Sequence, residues 1–287
     1  MKGPIVIWGV FAATTLASTS QAAHLFVSAT ASDIVKIDGD QYSYFATGQA
    51  FPDGLVFDAS GNLYVANAGS GEIHKFTPNG TSSLVATVFP EPFCLAFDVS
   101  GYLYVSNSNS EISRISPTGD VSLFVTLPAY AEALVFDNDG NLYAPEVATG
   151  RIDKISPSGA VSLFATVPIL PGAAAFDSHG NLFVSVFPRF AADQAVVEVT
   201  PSGNVSTFVT LRGADGLAFD TAGILYVASN DLNSIMEYAP DGSLVGSIDV
   251  PLDPRYLAFD SVPEPTSATL LLLGVLGCGW RRRGRLG

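Results

Sequence analysis

One dipeptide in a fixed frame constrains this chain more than any other feature. Phe-Asp stands at 57/58, 97/98, 136/137, 176/177, 219/220 and 259/260, so successive copies lie 40, 39, 40, 43 and 40 residues apart. A period of that size belongs to propellers, solenoids or arrays of one supersecondary unit. Each copy opens a stretch like GLAFDxxGNLYVAN, followed by a variable loop, IxKISPxG and xVSLFATVP. The runs alternate, or are rich in β-branched and aromatic residues, and Gly, Pro and Asn separate them. That pattern predicts four short strands per unit, and helical periodicity is absent.

The turns support the same division. Asp58-Ala59-Ser60-Gly61 puts Asp at the first position of a type I turn, where its carboxylate accepts backbone N–H groups, and Gly at the fourth. DVSG, DNDG, DSHG and DTAG repeat it, while TPNG, SPTG, SPSG, TPSG and APDG serve the second hairpin with Pro presetting φ. The recurring Asp residues are therefore read as turn formers. DNDG, Asp137 to Gly140, is likewise read as a turn, because the twelve-residue ligand series of a calcium loop is missing.

The sixth copy stops after about one strand. Residues His24 to about Gln49 hold HLFVS, DIVKIDGD and QYSYFAT, which match the second to fourth strands of a unit and lack a first. Tyr256 to Asp260 supplies it. Five complete blades and one shared between the two ends predict an all-β, six-bladed β-propeller over residues 23–261, closed by pairing of its N- and C-terminal strands. An open solenoid would leave sheet edges exposed, and no cap is evident.

Two segments flank the ring. Residues 1–22 carry one Lys, an apolar run from Pro4 to Ala17 and a small-residue site, the pattern of a secretory signal peptide. Residues 262–287 begin with Val262-Pro263-Glu264-Pro265, continue through the thirteen-residue run Ala268 to Trp280, and end with Arg281, Arg282, Arg283 and Arg285. The run predicts a short hydrophobic helix, below the ~20 residues of an ordinary span. Between Ala23 and Ser261 stand 26 acidic and 8 basic residues, a surface that repels phosphates and excludes nucleic acid as a partner. Cys94 and Cys278 are poorly placed to pair, so the exported fold relies on its own core.

PDGLVFDASGNLYVAN and ADGLAFDTAGILYVAS resemble the NHL-repeat propellers and the related gluconolactonase/regucalcin-like (SMP-30-type) propellers. The tail, with its VPEP, short apolar run and Arg cluster, resembles the PEP-CTERM sorting signal. That second resemblance implies an exosortase-type membrane enzyme as partner, with Pro263, Glu264 and Pro265 as the recognition motif and processing near them. It also implies passage through the periplasmic side of the membrane of a Gram-negative-type bacterium, delivery to the cell surface or extracellular matrix, and an association with exopolysaccharide and biofilm. Membrane contact through the C-terminal helix is transient or retained.

Loops entering the first strands and leaving the second open on one face of the ring, the face where function is expected. Before the first strands the equivalent positions are Asp53, Phe93, Glu132, Gly172, Asp215 and Arg255; after the second they are Asn67, Asn107, Glu146, Val186, Ser229 and Ala29. Carboxylates and amides converging on the channel suit Ca²⁺ or a similar hard cation. The lactonase resemblance carries acidic ligands onto Asp53 and Asp215 and, more loosely, an amide onto Asn107; Gly172 stands where another amide ligand is expected. A partial metal set is Asp53, Asn107, Glu132, Glu146 and Asp215. His24, His74 and His179 are not placed on the channel face, which disfavours a Ser-His-Asp triad or a His-based lyase site. Tyr and Phe of LYV and LFV are read as packing between blades, and Phe187, Pro188, Arg189 and Phe190 as the longest insertion on the open face. The leading reading is a non-enzymatic binding or scaffold propeller for a glycan, peptide or cation; the alternative is a metal-dependent lactonase-like hydrolase, with metal-bound water as nucleophile.

Overall fold

The computed structural model describes residues 23–29, 32–39, 41–168, 170–187, 194–250 and 253–260. The signal peptide, the apolar tail with its Arg cluster, and most of the insertion after Phe187 lie outside the described residues. What is described is all strand and turn, in six antiparallel four-stranded sheets.

Five sheets are built from consecutive strands, and the sixth joins Pro254–Phe259 to Leu25–Ala29, Asp33–Asp38 and Gln41–Ala46. Leu25 pairs with Phe259, Phe26 with Ala258 and Val27 with Leu257, so the closing strand comes from the far end of the ring as the truncated sixth repeat predicts. A clasp completes it. Asp260 accepts a hydrogen bond from the His24 backbone N–H and pairs with His24 Nδ1 at 2.8 Å. In the other repeats the equivalent carboxylate caps its own turn: Asp58 Oδ1 accepts from Ser60 N and Asn62 N, both at 2.9 Å, and Gly61 completes the turn at φ 77°. Asp260 therefore plays the turn Asp's part across a turn that the two ends of the ring leave open.

The blades are held together by one repeated contact. Tyr64 meets Phe97, Tyr104 meets Phe136, Tyr143 meets Phe176, Phe183 meets Phe219, Tyr226 meets Phe259 and Phe26 meets Phe57, all edge to face at 4.9–5.1 Å. The aromatic of each second strand thus packs on the Phe of the next blade's Phe-Asp pair, which explains why both recur. Each such pair contributes ~0.5–1.5 kcal/mol beyond the area it buries. Around them lie fully buried branched residues such as Ile73, Ile112, Ile152 and Ile235, one from each of four third strands.

Five inner strands, Pro52–Phe57, Pro92–Phe97, Pro171–Phe176, Ala214–Phe219 and Pro254–Phe259, share a register shift near their first residues. A bulge of this kind bends the strand and re-aims a side chain. The channel residues consequently sit inside these strands, where the sequence reading had put them just ahead. In the remaining blade the ladder is broken: Ala131 bridges Glu146 and pairing resumes only at Val135–Phe136.

Candidate functional site at the channel mouth

The bulged positions of five inner strands, and the gap in the sixth blade's ladder, each contribute one residue to the mouth of the channel. In ring order these are Asp53, Phe93, Glu132, Gly172, Asp215 and Arg255. Because the ring is closed, Arg255 stands between Asp215 and Asp53, and Glu132 stands across from it. The Arg255 Nε donates to Asp215 Oδ2 and its Nη1 donates to Asp53 Oδ1, each at 3.4 Å. Tyr256, the next residue, reaches over the channel and donates its hydroxyl to the Glu132 backbone carbonyl at 3.2 Å. Below it a cavity of about 90 Å³ is lined by Leu55, Cys94, Ala133 and Leu217, among others. Burial pushes the Cys94 thiol up to about 11, so it is an inert filler.

The three carboxyls titrate far from their usual range. Burial raises Asp53 to about 6, against the pull of Arg255 and with a further push from Glu91. Asp215 rises to about 6 for the same first reason, opposed by Arg255 and reinforced by Asp53. Glu132 rises to about 7 through burial and the negative charge of Asp215, with Arg255 again opposing. One guanidinium does not fully offset three acids taken out of water.

That surplus has a sign in stability. Raised folded pKa values mean the folded ring holds protons the unfolded chain has lost, so the contribution is complete below about pH 4 and disappears as pH climbs through about 6 to 7. The turn acids Asp58 and Asp137 act oppositely: burial works against their charge, but hydrogen bonds from Asn62 and Asn141 outweigh it and hold both below the usual carboxylate range. Thermal melts across pH are expected to peak near ~4 and to lose ~3 kcal/mol by pH 8, less than three independent shifts because the acids share one cation. A curve flat from pH 5 to 8 would contradict these shifts.

The remaining positions of the proposed ligand set are engaged elsewhere. Asn107 Oδ1 accepts from Asn109 N at 3.0 Å and Glu111 N at 3.1 Å, and its amide donates to Glu111 Oε2, so it caps its own turn. Glu146, 0% exposed, accepts from Thr149 Oγ1 at 2.7 Å. It faces Asp153, also 0% exposed, whose Oδ1 accepts from Arg151 Nη2 at 2.7 Å. Glu146 Oε1 and Asp153 Oδ2 are both buried with no partner. Burial first, then Asp153, push Glu146 upward, against the hydrogen bond from Thr149. At Gly172 a Cβ would come within 2.9 Å of the Phe187 ring and 3.0 Å of Ser185 Oγ. An aromatic ring thus fills the space of an amide side chain. Among the described residues no group of three or more His, Cys, Asp or Glu is placed to hold an ion. The channel-mouth residues do not fit a divalent-cation cage.

Sequence reasoning had Arg255 and Phe93 in the right column without a role, and it did not single out Phe51, Phe89 or Tyr130. Phe93 and Tyr130 stack obliquely at 5.6 Å beside Glu132. Phe51 and Phe89 are 66% and 69% exposed on the same face. A Cβ on Gly69 would come within 2.7 Å of the Phe51 ring, and one on Gly71 within 2.6 Å of Phe89, so the Ala-Gly-Ser-Gly loop is shaped to seat both. His24, His74 and His179 bind Asp260, Glu72 and Asp177, away from the mouth. Larger clefts, of about 380, 290 and 230 Å³, lie on the tight-turn face. They recur beside successive aromatic seams and follow from the repeat.

Residues 261–283 match the PEP-CTERM protein-sorting motif. The chain carries a sorting signal. The motif implies export, recognition by an exosortase-type enzyme and sorting by way of the membrane. No curated protein sequence matches the chain. Among solved structures, a chain of the nidogen/laminin complex superposes with a TM-score of 0.75 at 14% identity, over 84% of this chain and 99% of that one. A gluconolactonase from Xanthomonas campestris gives 0.63 at 16%, over 82% and 88%. Virginiamycin B lyase from Staphylococcus aureus gives 0.59 at 18%, over 71% and 73%. These likenesses establish the propeller fold. At such identities they assign no activity.

Proposed function

We propose that the protein is an exported propeller, delivered to the cell surface or extracellular matrix, that acts as a binding or scaffold module through its channel-mouth face. The observation that carries this reading is the exposed aromatic rim of the mouth, where Phe51 and Phe89 stand 66% and 69% exposed in a chain that carries the sorting motif. Residues 1–22 serve as the secretory signal, and Pro263, Glu264 and Pro265 as the recognition motif, with the four terminal Arg residues holding the tail's cytoplasmic side.

The mouth offers two kinds of contact. Phe51, Phe89, Phe93 and Tyr130 present ring faces, and Glu132 presents a carboxylate that no donor among the described residues reaches. Ring faces stack on the apolar faces of sugars while carboxylates accept hydroxyl hydrogens, so the ligand class this face suits best is a polyhydroxylated glycan.

Two measurements test the reading separately. Full-chain protein with Pro263, Glu264 and Pro265 all replaced by Ala is expected to leave the surface and matrix fractions, and unchanged delivery would remove the sorting role. The Phe51→Ser, Phe89→Ser double variant is expected to bind the cells' extracellular polysaccharide about tenfold more weakly, ~1.4 kcal/mol, with its melting temperature unchanged. Equal binding by the variant, or none by the wild type, removes the glycan.

A further inference from the structure

We propose that Arg255 is the resident cation of the channel: its guanidinium neutralises Asp53 and Asp215 in the space where lactonase-like propellers place a divalent ion. The inference goes beyond the glycan-binding reading and is independent of it.

Four observations converge. Arg255 bridges the two acids that stand in the family's ligand positions, using Nε for one and Nη1 for the other. A planar, permanently charged fork suits two flanking carboxylates better than a point charge does. The two acids are followed by the glycines of the repeat's DG pairs, and Gly216 lets the neighbouring strand come so near that a Cβ there would fall 1.9 Å from the Arg255 carbonyl oxygen. That approach sets Arg255 beside Asp215. Two other candidate ligand positions are taken up: the Phe187 ring covers Gly172, and Asn107 caps its own turn. Arg255 also anchors Tyr256, which spans the channel to Glu132. Cation and plug are therefore carried by one dipeptide of the closing strand.

The consequence is a ring that needs no metal to neutralise its mouth, and loses stability when the guanidinium is removed. Thermal unfolding of the full chain in chelator-treated buffer tests this, with wild type beside Arg255→Ala. Each is titrated with Ca²⁺, Mg²⁺, Mn²⁺ and Zn²⁺, and separately with guanidinium chloride far below denaturing concentrations. The wild type is expected to show no saturable rise with any divalent ion. Arg255→Ala is expected to melt ~5 °C or more lower and to recover saturably with guanidinium or a divalent ion that enters the vacated space. A saturable divalent shift in the wild type that Asp215→Asn abolishes would overturn the proposal, because the ion would then be the resident. Unchanged melting of Arg255→Ala overturns it too. If Arg255→Ala yields no folded protein, Arg255→Lys and Arg255→Met decide: folding with Lys and failure with Met supports a required charge, and equal behaviour of the two overturns it.

Discussion

A chain ending at Val250 is expected to lose the folded ring, whereas one ending at Asp260 is expected to melt like the full protein. Pro254–Phe259 is a small fraction of the sequence, but it is the inner strand of the closing blade and pairs along Leu25–Ala29. Removing it takes Leu257 from a cluster with Leu25, Val27 and Ile235. Tyr226 loses Phe259, the partner in the aromatic seam, and the contacts of Tyr256 and Ala258 with the Phe26 cluster also disappear. Losing one buried Leu costs ~2–5 kcal/mol and an aromatic ~3–5 kcal/mol, before the ladder hydrogen bonds and the newly exposed sheet edge are counted. Against a typical stability of ~5–15 kcal/mol, that is enough to unfold the domain. Circular dichroism and gel filtration of the two truncations give the answer; a cooperative, wild-type melt for the shorter chain would show that the ring does not depend on this strand.

Much of that closure is legible in the sequence because it rests on periodic terms. The Phe-Asp spacing, the DxxG turns and the LYV runs each repeat, and a pattern sampled six times averages out local noise. The truncated sixth copy and the headless first one then fix the blade count. The mouth is different. Its residues differ from blade to blade, so no repeat reports on them, and their meaning depends on circular order. Arg255 and Asp53 are at opposite ends of the alignment but neighbours in the ring. Writing the column as a circle puts Arg between two Asp residues, which is the signal that a linear reading passes over. Phe187 over Gly172 could not be read in this way, since a glycine in a ligand column says only that a side chain is missing, not what takes its space. The turn cap of Asn107 was hidden for a related reason: an Asx-type cap and a metal ligand call for the same residue types at the same loop.

Gly216→Ala is expected to be among the most damaging single-methyl additions in the molecule. A Cβ at Gly216 would stand 1.9 Å from the Arg255 carbonyl oxygen and 2.9 Å from the Tyr256 Cα, and both are backbone atoms that no rotamer change can move. The inner strand of the closing blade must shift, which strains its pairing with Leu25–Ala29 and pulls the Arg255 guanidinium from Asp215. Overpacking typically costs ~1–3 kcal/mol; with backbone as the obstacle and an ion pair disturbed, ~4 kcal/mol is expected, a fall in melting temperature of ~8–16 °C for a domain of this size. Gly54→Ala, whose Cβ would meet the Phe93 carbonyl oxygen at 2.5 Å, should follow at a smaller cost. Gly39→Ala is the control: its φ of 59° is strained for Ala, but nothing lies within 4 Å, so ~1 kcal/mol is expected. The order Gly216, Gly54, Gly39 separates crowding from backbone conformation, since only the last has a positive φ. It also gives the DG pairs a physical reason. Each channel Asp sits where its bulge bends the strand inward, and the glycine after it removes the side chain that would hold the next blade away. If Gly216→Ala proved as mild as Gly39→Ala, the close approach of the two inner strands, and with it the placement of Arg255 between the two acids, would be wrong.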